Sequence, residues 1–269
     1  MKDPIPAEEI AKNQTPQKNP PAKKNAIPAK EVYEFYVELM DFKPKIWRRF
    51  YVSSDMTMEK LAFTIMHMFN MQGGHLFDFK IDMKPRLRKE FLSRPEINKK
   101  MVDEMVSNFP NLIVESYIDE EMDAADDEFT ENVLKQTPPR RYDASTTKIK
   151  NIIKKDDECI FTYDFGDNWQ ITVVLEDTDA KTGLSKSELP LIKEGKNFGI
   201  IEDCGSIPGL EGIVKAFEKK KGEDYEEYKN WLGIDDFDIH SFDKDELNSS
   251  VKSFIRYMTR AYNENREEW

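Results

Sequence analysis

Phe161-Thr162-Tyr163-Asp164-Phe165-Gly166-Asp167-Asn168-Trp169-Gln170-Ile171-Thr172-Val173 is the stretch whose reading decides the fold class. Phe161, Tyr163 and Phe165 alternate with smaller or polar residues; after Gly166-Asp167-Asn168 the alternation resumes with Trp169, Ile171, Val173 and Leu175. Successive side chains of a strand point to opposite faces, so each run gathers its large apolar groups on one face. Gly-Asp-Asn supplies turn chemistry between them. The stretch reads as a β-hairpin with an aromatic face.

The same period appears upstream. Tyr33, Phe35, Val37 and Leu39 alternate with Glu34, Tyr36 and Glu38, which predicts a strand from Val32. Pro44 marks a turn, and residues 46–52 read as its antiparallel partner. Thr57 is a natural N-cap for a helix over residues 57–70, with Met58, Leu61, Ala62, Ile65, Met66 and Phe69 on one face and Gly73-Gly74 as the stop. Phe77, Phe79, Ile81 and Met83 predict a third strand, and Pro95 opens a helical stretch carrying Met101, Val102, Met105 and Val106. A loop with Gly183, Pro190, Gly195 and Gly199 leads to Ile201-Glu202-Asp203-Cys204-Gly205.

Helices follow. Leu210, Ile213, Val214 and Phe217 share a stripe after Pro208-Gly209; Tyr225, Tyr228 and Trp231 mark a short helix; residues 244–263 carry Leu247, Val251, Phe254, Ile255, Met258 and Tyr262 at helical spacing. Strands early and midway with helices late predict an α+β fold, an antiparallel sheet packed against helices with a helical C-terminal part.

Composition sets outer bounds. Of 269 residues, 39% are hydrophobic and 34% charged, and the net charge is −12. Its 17 Phe, 10 Tyr and 4 Trp can anchor a core despite the polar average. An acidic balance argues against non-specific duplex binding, which depends on Lys and Arg neutralising phosphates. Residues 1–30 hold six prolines, six lysines and three acids with almost no large apolar group, the composition of a disordered basic tail; residues 31–269 are expected to form one α+β domain. The tail suits either a solubilising leader or a docking arm for an acidic partner. Residues 115–131 contain nine acids and no base, which predicts a solvated insertion; the order of an EF-hand loop is absent. Two separated cysteines exclude a disulfide scaffold, no apolar run approaches a membrane span, and no secretory leader is visible, so a cytoplasmic protein is expected.

Four segments carry a resemblance: Ile46-Trp47-Arg48-Arg49; Gly74-His75-Leu76 with Phe77 and Phe79 behind it; Tyr163-Asp164-Phe165-Gly166-Asp167-Asn168-Trp169; and Glu202-Asp203-Cys204-Gly205. In this order and spacing they resemble the plasmid pRiA4b ORF-3-like family, over roughly residues 32–240. The resemblance implies an antiparallel sheet packed on helices and the company of plasmids, transposons and phages, with no broadly established activity. Where the family tends to place a His two residues after the motif Trp, this chain has Ile171. Where it often has a second Cys before the Glu-Asp-Cys step, this chain has Gly199, followed by Ile200 and Ile201. A metal held by those family positions would lack two ligands here.

The candidate residues fall into two sets. Asp164, Asp167, Glu202 and Asp203, with His75 as a general base, are the candidates for an Mg²⁺- or Mn²⁺-dependent phosphoester or nucleic-acid hydrolase, because hard cations take oxygen ligands. That reading requires the Asp164 turn and the Cys204 loop to be neighbours; the alternative is that these acids bond turn amides. Trp47, Arg48, Arg49, Tyr163, Trp169 and Cys204 are the candidates for binding. Arg48 and Arg49 must point to opposite faces of their strand, so one is inward and in need of an acid, with Asp164 or Asp203 as the expected partner. His67 is read as a surface histidine and His240 as part of a helix-entry loop. GxSxG, Walker A and HExxH signatures are absent. The leading expectation is an interaction module that binds a protein or nucleic acid without turnover; the hydrolase is its rival, and an acidic nucleic-acid mimic is a third reading.

Overall fold

Among the described residues, eight strands form one sheet in the order β5-β4-β3-β6-β7-β1-β2-β8. The computed structural model describes residue 29, residues 31–116 and residues 139–266. In chain order the strands are β1 (Val32–Leu39), β2 (Trp47–Ser53), β3 (Phe77–Asp82), β4 (Leu112–Glu115), β5 (Arg140–Asp143), β6 (Glu158–Tyr163), β7 (Trp169–Asp177) and β8 (Leu191–Lys196). The helices are α1 (Met58–Met68), α2 (Lys84–Leu92), α3 (Lys99–Ser107), α4 (Ile149–Ile152), α5 (Ser206–Lys219), α6 (Glu223–Leu232) and α7 (Lys244–Arg266).

The expected α+β architecture stands, with one refinement. All pairings are antiparallel except β4 with β5, which is parallel, so the sheet is mixed. Alternation decides which face is buried. Phe35, Val37 and Leu39 of β1, Phe50 and Val52 of β2, and Trp169, Ile171 and Val173 of β7 are all buried, while Glu34, Tyr36, Arg49 and Val174 look outward. On the buried face the strands share one apolar core with α1 and α7: Leu61, Ile65, Met66, Val251, Ile255 and Met258 all belong to it. Phe77, Phe79 and Phe161 pack edge-on or tilted against one another in it, with ring centroids 4.9–6.3 Å apart. Gly73 lets α7 approach; a Cβ there would lie 2.1 Å from Met258 Cε.

Thr57 caps α1 as the sequence predicts, its hydroxyl accepting from Lys60 N. Other expectations need correction. Phe165 leaves the alternation and stands 55% exposed on the turn. Met83 ends β3 by leading into α2, a polar helix with no buried residue that the sequence did not signal. The helix after Pro95 starts at Lys99, and only Val102 and Val106 are buried. The Gly183–Gly199 loop contains β8, the edge strand beside β2. The outer edge of β8 is closed by Asn248 of α7, whose side-chain oxygen accepts from Ile192 N (2.8 Å) while its amide donates to Ile192 O (2.9 Å). Apart from Ala29, the basic tail lies outside the described residues, as does the acidic run beyond Glu115, which itself ends β4.

Candidate functional site

Two of the motif segments meet through Tyr163. As the last residue of β6, its ring is buried, while its hydroxyl reaches the Cys204 loop and donates to Glu202 Oε1 at 2.7 Å. The same carboxylate oxygen accepts from Gln72 N at 2.6 Å, and the Tyr163 oxygen accepts from Gly73 N at 2.9 Å. The segment after α1, the end of β6 and the approach to α5 are thereby tied at one point. Burial, reinforced by the Glu202 charge, pushes the Tyr163 phenol well above its ordinary value, so it is a permanent donor.

The turn that follows is fixed by its own backbone. Asp164 and Asn168 adopt left-handed φ values of 56° and 55°, which short polar side chains tolerate. Asn168 N donates to Asp164 O (2.6 Å), Gly166 N to Asp164 Oδ1 (2.9 Å), and Asp164 N to Leu76 O (3.0 Å). His75 stands beside this turn: its Nε2 is 3.7 Å from Asp164 Oδ2, its ring meets Tyr163 edge-on at 5.7 Å, and its carbonyl accepts from Tyr262 Oη of α7. Phe165 projects from the tip. Asp167 Oδ2 and the indole Nε1 of the fully buried Trp169 have no hydrogen-bond partner among the described residues.

Cys204 is half-buried, with Sγ 3.6 Å from Ser206 O. Burial first, then the negative charges of Asp167 and Asp203, push its thiol up to about 12, so it carries no thiolate at neutral pH. Asp203 is exposed at φ 59°. The first turn of α5 sits directly on this loop: a Cβ on Gly209 would lie 1.6 Å from Cys204 O.

The predicted residues therefore separate. His75, Asp164 and Glu202 stand around Tyr163, while Asp167 and Asp203 act on the Cys204 thiol. Yet no three His, Cys, Asp or Glu side chains among the described residues stand close enough together to hold one metal ion. The two positions where the chain departs from the family pattern are given over to packing: Ile171 is buried on β7, and a Cβ on Gly199 would lie 2.6 Å from Phe69 O.

The arginines are elsewhere. Arg48 is the inward one and is fully buried, but the expected carboxylate is not its partner. It donates to Met68 O, Trp47 O, Lys196 O, Asn197 O and Phe198 O, and its guanidinium lies over Phe69 (5.2 Å) and Phe242 (4.4 Å). Five N–H donors meet five neutral carbonyls, one of them at the C-terminal end of α1, where partial negative charge accumulates. Burial lowers its pKa to about 9, which leaves it protonated at neutral pH. Arg49 faces outward, pairs with Glu176 (2.8 Å) and Glu194 (3.1 Å), and stacks over Tyr36 and Trp47. His67 is not the surface group expected: it is half-buried between α1 and α7, with Nε2 near Leu247 O (3.2 Å) and Ser250 Oγ (3.1 Å), and burial lowers its pKa. His240 Nδ1 lies 3.0 Å from Asn197 Oδ1. Sequence reasoning missed Gln72 and Gly73, whose contribution is backbone N–H and leaves no residue signature.

A helix-backed mixed sheet whose hairpin turn is latched to a Cys-bearing loop defines the class: an α+β protein built around a Tyr-centred turn. The family pattern for plasmid pRiA4b ORF-3-like protein matches residues 31–246, and the chain belongs to that family. It is 29% identical over 91 residues to the uncharacterized protein y4hQ of Sinorhizobium fredii, a match covering 34% of this chain and 45% of that protein, so the chain spans less than half the length of this curated relative. A crystal structure of a protein of unknown function from Methanosarcina mazei Go1 has the same fold, with a TM-score of 0.57, 24% identity, and coverage of 80% of this chain and 95% of that one. Among the described residues no helix is long and apolar enough to cross a membrane, and Cys159 and Cys204 are both free thiols.

Proposed function

We propose that the chain is a protein-binding module of a mobile genetic element or phage, which docks its partner on the Phe165 turn and works without turnover. The observation that carries this is Phe165 itself. A large aromatic is held 55% exposed on a turn whose backbone is fixed by three hydrogen bonds and whose base is latched by Tyr163. A rigid exposed aromatic surrendered to a partner loses little conformational entropy and buries much apolar area, which is the physics of an interface hot spot. Asp164, Asp167 and Asp203 set a negative rim near it, favouring a partner with basic side chains over phosphate backbone. The plasmid association in the family's name supports the setting.

Affinity capture from the source cells compares wild type with Phe165→Asp and Val174→Asp, the second an outward apolar position on β7 of similar exposure. A protein retained by wild type and Val174→Asp but lost from Phe165→Asp supports the reading. The same retained set for all three counts against it, and nuclease-sensitive material would transfer the assignment to nucleic acid.

The hydrolase remains a second reading on one observation, the unpartnered Asp167 Oδ2 near the His75–Asp164 pair. Phosphodiester hydrolysis that needs Mg²⁺ or Mn²⁺ and disappears in both Asp164→Asn and His75→Gln would promote it.

A further inference from the structure

Away from the Phe165 turn, α6 has an apolar stripe that the fold only half uses. Tyr225 packs on Phe217 (5.5 Å) and Tyr228 approaches Gly212 of α5, where a Cβ would lie 3.1 Å from its hydroxyl. Beyond them the stripe runs out onto the surface: no residue of α6 is buried, Trp231 is 49% exposed with Tyr228 at 6.5 Å, and Ile234 just past the helix is 37% exposed. Around this stripe, Glu223, Asp224, Glu226 and Glu227 enter no ion pair among the described residues, while Lys229 and Lys220 are already held by Asp235 (2.7 Å) and Asp236 (3.0 Å). An exposed indole near the end of a helix whose first turn carries three of these carboxylates, with Glu227 one turn before the indole, suits an occupant that brings both rigid apolar faces and positive charge.

This chain contains such a segment. Residues 10–28 hold Pro16, Pro20, Pro21 and Pro28 together with Lys12, Lys18, Lys23 and Lys24, and no acid. Proline-rich stretches dock aromatic-lined surfaces at low entropic cost, and flanking lysines read acidic rims. Reach is ample. Ala29 is anchored by its N–H to Leu184 O (3.2 Å). At ~3.1 Å per residue, twenty residues of extended chain span ~60 Å, against a radius of gyration of about 18 Å for a domain of this size.

We infer that residues 10–28 dock in cis on the Tyr228–Trp231–Ile234 surface, with the prolines on the indole and the lysines among the α6 carboxylates. The contact covers the exposed stripe and makes the N-terminal segment an internal competitor for any basic, proline-containing ligand of α6. It is independent of the Phe165 reading, since it uses different residues.

The test uses the full chain labelled with 5-fluorotryptophan, the Trp231 resonance being assigned by its disappearance in Trp231→Phe. Substituting Lys12, Lys18, Lys23 and Lys24 by Glu, or Pro20 and Pro21 by Ala, is expected to move the Trp231 signal to a new position, and 1 M salt to move wild type the same way, because screening shrinks the Debye length to about 3 Å. The Trp169 signal, from the core, stays in place and shows that the fold is intact. An unchanged Trp231 signal in both variants overturns the inference. A Trp231 signal that moves on dilution overturns the cis contact and assigns the surface to a second copy.

Discussion

Arg48 and Arg49 are neighbours on β2 and share a side-chain chemistry, yet their surroundings are opposites. Arg48 sits with no exposure among five carbonyls and between two phenyl rings; Arg49 lies a third exposed between two glutamates, above Tyr36 and Trp47. Neutral dipoles in the interior hold the first charge by geometry alone, and the five carbonyls it satisfies come from three pieces of backbone: Trp47 of β2, Met68 at the end of α1, and the consecutive Lys196, Asn197 and Phe198 at the exit from β8. Full charges in solvent hold the second, and water competes for every contact. The buried arginine therefore organises the fold, whereas the exposed one decorates it.

Removing the interior charge is the harshest way to break that contrast. Arg48→Met should cost at least about 3 kcal/mol, because five carbonyls lose their donor and each one that stays buried without another costs about 1–3 kcal/mol. Arg48→Lys should recover little, since an ammonium offers three donors without the planar fork. Urea denaturation measures both, and a midpoint within experimental error of wild type for Arg48→Met would remove the cage from the list of structural determinants. Next comes the Tyr163 latch. Tyr163→Phe leaves Gly73 N and Glu202 without their shared partner and should cost about 1–3 kcal/mol, with faster amide exchange at Gln72 and Gly73 as the local signature. Arg49→Ala should cost about 0.2–1 kcal/mol and less at high salt; a loss matching that of Arg48→Met would erase the comparison.

The mildest effect expected is a pH slope from His67. Burial lowers its folded pKa below the ordinary value near 6.5, so its neutral form is the folded one. The stability it contributes is complete above pH 6.5 and is lost as pH falls below that toward the folded pKa. Asp243 and Glu246 line the same groove between α1 and α7 and temper the loss. Urea midpoints at pH 7.5 and 5.5 should therefore fall further on acidification in wild type than in His67→Gln.

Much of the sheet was legible because period two is strong wherever one face is buried and the other wet. In β1 and β7 every second residue is a large apolar group and the structure buries those residues, while in β2 the same phase holds Phe50 and Val52 with Arg48 in the remaining place. In β8, Leu-Ile-Lys-Glu-Gly-Lys, only Ile192 is buried, and Gly195 is demanded by the neighbouring Arg48 and Phe242 side chains rather than by strand propensity. Its pairing depends on β2 and on α7, more than 50 residues away, which no local window contains. The helix α2 escaped for the same reason: with no buried face it has no stripe to read. At the candidate site the side chains were nameable, but their nearness was only a condition set by one reading, and the contact that joins the two segments, Tyr163 to Glu202, was not among those expected. What sequence does not carry is the division of labour. The inward arginine could be deduced from strand geometry, whereas its reliance on carbonyls depends on three chain segments arriving at one place.

Asn248 has a wider consequence. By giving Ile192 both hydrogen bonds that a ninth strand would supply, one amide side chain interrupts the β8 edge as a template for another strand at that residue. That residue stands two positions beyond the end of the shared family region. A chain cut at residue 246 would therefore lose two things at once, the cap on Ile192 and the Val251, Ile255 and Met258 side chains that α7 gives to the core.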